Sequence, residues 1–371
     1  MSEDQPEVAV LGAGIAGLSI AWQLLRRGVA VSVVSGVEPA ASAVAAGMLA
    51  PMPETEINPA IGRVAVAALR AYPEFLDSLA EDTDLRTGFY RCGLMRVAYS
   101  DEEAVAIRDS VGAYEAAGMP SRWLDARGCV SEAPGLGGAG LRGGLVSYEE
   151  AQVQADWVLA ALRDAISHRG GTFVEAEVAA VTPKGTGVAV RLGAAGSTEE
   201  LTATTAVVAM GSWSGMLAGT SLQVSPVKGQ LLTFDGPRGP RPIVYWGHNY
   251  LLTKPDATVV LGATMEDAGY ALDVDANAES LRDALDQLWP SLRAEPALAR
   301  AGLRPAAADR LPVIGWAGPG VYAFTAHFRN GFLLSPMTAA LAATEVVGGG
   351  KEEALARFRP DRLSAEGSAG A

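Results

Sequence analysis

Short apolar runs divided by polar and glycine-rich breaks set the rhythm of this chain from its start. Val8-Ala9-Val10-Leu11 is continuously apolar and brief, which predicts a buried strand; residues 15–27 predict a helix and residues 30–34 a second strand. This is a β-α-β unit. Residues 61–79 and 101–117 predict helices on either side of a strand at 93–99, and residues 154–168 predict an amphipathic helix ended by Gly170-Gly171. Strands follow near 172–176 and 188–192, and residues 205–211 read as a return to the central sheet. From 226 to 264 apolar runs alternate with turn residues, the pattern of antiparallel strands, with a helix at 279–288 laid on them. Residues 321–325 add a strand. A last helix runs from Phe332 or Leu333 to Val347 and is stopped by Gly348-Gly349-Gly350. The alternation fits a second domain inserted into the first, and no internal repeat interrupts it.

The 371 residues exceed one typical domain about two and a half times, which supports the two-domain reading. Hydrophobic residues at 49% and charged residues at 19% exclude wholesale disorder. A formal charge of −13 with only four lysines excludes a phosphate-binding groove for nucleic acid. Cys92 and Cys129 cannot build a disulfide framework, and the histidines His168, His248 and His327 are too scattered for zinc, so no metal is expected. The start Met1-Ser2-Glu3-Asp4 is acidic where a secretory signal is basic, and no uninterrupted apolar segment reaches about 18 residues. A cytoplasmic protein without an integral membrane span is the expectation. Self-association into a homo-oligomer is left open.

Chemistry begins at Gly12-Ala13-Gly14-Ile15-Ala16-Gly17, a G-x-G-x-x-G between the first strand and helix, where a dinucleotide pyrophosphate meets helix amides. Residues 40–52 are small and proline-bounded, which suits backbone lying against a ligand. Two further stretches carry specific patterns. One is Gly302-Leu303-Arg304-Pro305 with Asp309 and Pro312; the other is His327-Phe328-Arg329-Asn330-Gly331 with Leu333-Leu334-Ser335-Pro336. With Ala45-Ala46-Gly47-Met48-Leu49-Ala50-Pro51, and with weaker support from residues 209–214 and 226–230, the chain resembles the flavin-dependent amine oxidases of the D-amino-acid oxidase superfamily, most closely the glycine oxidase type associated with thiamine biosynthesis.

That resemblance implies an α/β fold: a Rossmann-like FAD-binding domain with an inserted α+β substrate domain containing a mostly antiparallel sheet. It divides the chain into FAD-binding segments 1–60, 140–220 and 300–363, substrate-binding segments 61–139 and 221–299, and a flexible tail 364–371. FAD is implied to be noncovalent, since Cys92 and Cys129 lie away from the 302–305 stretch. Gly12, Gly14, Ile15, Ala16 and Gly17 are implied to lie under the pyrophosphate, and Ala45, Ala46, Gly47, Met48 and Leu49 beside the isoalloxazine ring. Gly211, Trp213, Asn330, Gly331, Phe332 and Leu333 are carried over to the cofactor as well. One position departs from the pattern. Ser35 stands where an Asp or Glu ends the second strand and accepts from both ribose hydroxyls, and Glu38, three residues on, is either its replacement or a solvated loop charge.

For catalysis the resemblance makes Arg329 the anchor of the substrate carboxylate, a role its planar guanidinium suits through two parallel hydrogen bonds. Tyr250, in a strand of the substrate domain, is implied to donate to the same carboxylate, and His248 would share its face at period two, either narrowing the pocket or, the favoured reading, standing as an exposed edge histidine. His327 and Arg329, two apart, would point to one side of extended backbone, with His327 shaping the pocket or simply satisfied in the core. Arg304 lies near the ring or braces its loop through backbone carbonyls, and Lys228 and Lys254 are either cations beside the oxygen-reacting site or, the favoured reading, solvated or hairpin residues. The start of the last helix would stabilise negative charge on the ring's pyrimidine edge. The implied reaction oxidises a small α-amino acid, glycine or sarcosine first, by hydride transfer to flavin N5; water hydrolyses the imine and oxygen is reduced to hydrogen peroxide. Three alternatives stay open at this point: another amine (a D-amino acid, a cyclic imino acid or a specialised precursor), a dehydrogenase, and a flavin-binding scaffold.

Overall fold

The computed structural model describes residues 6–36, 40–193, 197–236, 239–292 and 295–365. Glu38 and all but the first two residues of the expected tail therefore lie outside the described residues. The apolar run at the start forms the strand Val8–Leu11, in the middle of a six-stranded sheet. Its order is Val313–Gly318, Val321–Thr325, Thr205–Val208, Val8–Leu11, Val31–Ser35, Thr172–Glu175. Every pairing is parallel except the edge hairpin of the first two. Parallel strands require cover on both faces. Val8 and Val10 face the helices Ile15–Leu25, Gly62–Ala80, Ala155–His168 and Gly331–Gly348, while Ala9 and Leu11 face Val181, Val188 and Val190 of a small antiparallel sheet.

The Gly62–Ala80 helix, grouped by the sequence with the substrate segments, shares this core: Leu69 and Tyr72 are buried in the same cluster as Trp22 and Ala342. The helix expected at 101–117 is two helices, Asp101–Asp109 and Val111–Ala116, parted at Ser110, whose hydroxyl donates to Ile107 O at 2.7 Å. Side-chain competition for a backbone carbonyl is what favours a break there. The Gly331–Gly348 helix, extended back to Phe328, is long and apolar enough to cross a membrane, yet Leu333, Leu334, Ala339 and Ala342 are packed inside the protein core.

The second layer is an eight-stranded sheet, ordered Leu298–Ala306, Ser225–Phe234, Val259–Gly262, Asn249–Thr253, Ile243–Trp246, Leu94–Ala98, Gly143–Ser147, Ser121–Asp125. It is antiparallel apart from one parallel pair, Ile243–Trp246 with Leu94–Ala98. Strand alternation splits its residues between two faces. Val244 and Leu251 pack under the Asn277–Leu288 helix, whereas their neighbours Tyr245 and Tyr250 turn to the other side with Ala46 and Ala50.

Candidate active site

A cavity of about 520 Å³ opens on that other side, reaching from the end of the central sheet to the tyrosine face of the larger one. At the sheet end it is lined by Gly12, Gly14, Ile15 and Ala16. Gly12 has φ +109°, and a Cβ there would fall 2.4 Å from Ala209 O, so only glycine lets the strand turn into the helix. Gly17 does not line the cavity. Its missing Cβ would meet Gly12 O at 1.9 Å, so it closes the helix onto the turn. Gly14 precedes the helix without a side-chain cap, and Ile15 N–H donates to Ser42 Oγ at 3.0 Å. The positive end of an 11-residue helix faces the space, which suits an anion.

Along the middle run Ala45, Ala46, Gly47 and Met48, while Leu49 is fully buried and pairs with Ala151 behind them. Gly47 has φ +70°, and a Cβ there would stand 2.2 Å from Val153 O. Lys254 fastens this stretch from the rear: its Nζ donates to Ala46 O at 2.5 Å and Val153 O at 2.6 Å. Burial brings the Lys254 ammonium down to about 8. Lys254 and Lys228 do not line the cavity. Lys228, also buried, is paired with Asp275 at 2.6 Å.

Two arginines meet at the far end. Arg329 Nη2 donates to Tyr245 Oη at 3.0 Å and stands 3.1 Å from Glu54 Oε1, and Glu54 Oε2 accepts from Asn330 Nδ2 at 3.2 Å. Burial alone would depress the Arg329 guanidinium, but the Glu54 carboxylate and Tyr245 outweigh it and hold its pKa above the usual range. Arg304 has no such carboxylate. Its Nη1 donates to Thr264 O at 3.0 Å, and burial lowers its pKa. Gly229 makes room for it, since a Cβ there would fall 2.2 Å from the guanidinium. Tyr250 lines the same end, with Gly262 leaving space for its hydroxyl. Two guanidiniums and one carboxylate leave an uncompensated positive charge in a sheltered recess.

The segment carrying Arg329 is not extended as expected. Ala326 and Phe328 have φ of +57° and +50°, and Phe328–Asn330 is a 3-10 turn, so the period-two argument for His327 and Arg329 fails although both line the cavity. His327 is buried edge-on to Phe324 at 4.9 Å, and its Nε2 has no partner among the described residues. Burial drives its pKa down to about 3, leaving a neutral imidazole. His248 lies in the tight turn between Ile243–Trp246 and Asn249–Thr253, so it does not share a strand face with Tyr250, yet it reaches the cavity mouth.

Of the other expected residues, Ser35, Gly211, Trp213, Arg304, Asn330, Gly331 and Phe332 line the cavity, and Leu333 is buried in the core behind it. Tyr245 and Glu54 were not singled out from the sequence, and Gly229 entered only as part of the supporting stretch 226–230. The pairing of Tyr245 with Tyr250 follows from the two-residue turn Gly247-His248, a signal the sequence does contain. Glu54 has no local signal; it reaches Arg329 only through the fold.

The shape and lining fit FAD. The cavity joins a glycine-turned helix start to a wall of small residues and then to a polar recess, and the Cβ positions that would obstruct the turn and the wall are glycines. Comparison with known proteins agrees: residues 7–345 match the family model DAO, FAD dependent oxidoreductase. The chain belongs to this family and is an FAD-dependent oxidoreductase. Nearer relatives include the glycine oxidase of Geobacillus kaustophilus, 29% identical over 91% of this chain and 92% of that protein. Its crystal structure superposes with a TM-score of 0.88, covering 96% of this chain and 99% of that one. The bifunctional protein ThiO/ThiG of Trichormus variabilis is 31% identical over 98% of this chain, which spans only 56% of that relative.

Proposed function

We propose that the protein oxidises a small α-amino acid, glycine or sarcosine foremost, with oxygen as final acceptor and hydrogen peroxide, ammonia or amine, and an oxo acid as products. The observation that carries this reading is the recess that holds two guanidiniums, Arg304 and Arg329, and only one carboxylate, Glu54, which pairs with Arg329. An incoming substrate carboxylate supplies the missing negative charge. Arg304, whose donors other than Nη1 make no hydrogen bond among the described residues, and the Tyr250 hydroxyl receive it, while Arg329, oriented by Glu54 and Tyr245, reinforces the field. The glycine oxidases among its relatives support the choice of a small substrate.

Bound FAD supplies the two-electron acceptor. In this reading Gly12, Gly14, Ile15 and Ala16 would hold its pyrophosphate, Ala45 to Met48 would wall the ring, and the start of the 18-residue helix at Gly331 and Phe332 would favour negative charge on it. Asn330 gives its side chain to Glu54 and leaves the first-turn amides of that helix without a side-chain cap. His327, neutral and buried, shapes the pocket; the proton of the substrate ammonium leaves to solvent. Arg304→Met tests the anchor. Removing a charge-assisted hydrogen bond worth about 1.5–3 kcal/mol should raise KM by about 10- to 100-fold in a peroxide-release assay, and an unchanged KM would remove Arg304 from the site.

A further inference from the structure

The second strand of the central sheet ends at Ser35, which offers one hydroxyl oxygen where a carboxylate would offer two separate acceptor oxygens to two neighbouring ribose hydroxyls. We propose that Glu177, from a different part of the chain, supplies the carboxylate that binds the adenosine ribose of FAD. The proposal rests on FAD occupying the cavity. Its basis is the register of the sheet edge. Val31–Ser35 and Thr172–Glu175 run parallel with Ser35 opposite Glu175, and Ala176 N–H donates to Ser35 O at 3.1 Å. The two segments therefore leave the sheet side by side at the ends where ligands of such sheets bind. Ser35, Gly36 and Glu177 all line the cavity, next to the glycine turn, whereas Glu175 does not.

Gly36 is part of the arrangement. A Cβ there would stand 3.3 Å from Glu177 Cγ, so the glycine leaves room for the stem of that side chain. The backbone of Glu177 is fixed, since its carbonyl accepts from Gly193 N–H at 2.8 Å and the next residue, Val178, pairs with Leu192. Its carboxylate makes no hydrogen bond or ion pair with any described residue. Two acceptor oxygens on one rigid plane match two vicinal hydroxyls, which is the chemistry that Ser35 lacks. The same negative charge would repel a phosphate at the ribose 2′ position.

The test is titration of the full-length apoprotein with FAD and with an FAD analogue lacking both adenosine-ribose hydroxyls, followed by flavin fluorescence. Wild type should prefer FAD, and Glu177→Ala should weaken FAD binding about tenfold while leaving the analogue's affinity unchanged, erasing the preference. Glu38→Ala should keep the preference. Equal loss of both ligands in Glu177→Ala, no loss of either, or erasure of the preference by Glu38→Ala would overturn the assignment of Glu177 and leave FAD binding intact. Failure of the wild type to bind FAD would overturn both.

Discussion

At the scale of one residue, His327 ties the protein's stability to acid pH. Its folded pKa of about 3 lies below the ordinary value of 6.5 because burial disfavours the charged ring. Between those values the unfolded chain binds the extra proton, so the residue's contribution is complete above pH 6.5 and is lost as pH falls toward 3. The loss amounts to at most about 1.4 kcal/mol per pH unit. Replacing it, as in His327→Asn, should flatten the fall of urea-unfolding stability between pH 6 and 4 by up to one proton; an identical slope would show that His327 is not buried neutral. Arg329 makes the complementary point. The sequence pointed to it as a carboxylate anchor, and the fold gives it a buried partner, Glu54, that no local pattern announces. Arg329→Met should therefore cost about 3–5 kcal/mol through the charge it strands, and adding Glu54→Gln should recover part of that stability in thermal melts.

At the scale of elements, the strands and helices were legible where periodicity is strong and backbone is regular. Val8–Leu11, Ile15–Leu25, Ala155–His168 and Gly331–Gly348 fall where the apolar pattern puts them. The pattern was blind where function bends the backbone. Positive φ at Ala326 and Phe328 turns what reads as an extended run into a 3-10 turn, because tertiary packing overrides the two-residue period. The wall at residues 45–48 was legible as small residues, but not the ammonium behind it, since Lys254 is more than two hundred residues away in the chain. Lys254→Met would leave the Ala46 and Val153 carbonyls without that donor in a buried place. It should weaken FAD binding at least tenfold in a fluorescence titration, and so should Gly47→Ala, whose Cβ would overlap Val153 O. Unaltered FAD affinity in both variants would place the ring elsewhere.

On the scale of the whole molecule, two sheets of different construction enclose one elongated cavity. The parallel sheet brings strand ends and a helix start to one end, and the antiparallel sheet brings Tyr245, Tyr250 and Arg304 to the other. The chain crosses between them several times, and the resemblance to flavoenzymes was carried by motifs from both. What no motif revealed is the register of Ser35 with Glu175, which belongs to strand pairing between distant segments. The most direct test of the account is the visible spectrum of the purified protein under anaerobic conditions during addition of glycine or sarcosine. Flavin absorption should bleach with either amino acid and return when oxygen is admitted, with hydrogen peroxide formed. Flavin bands unmoved by both amino acids, in protein that binds FAD, would contradict it.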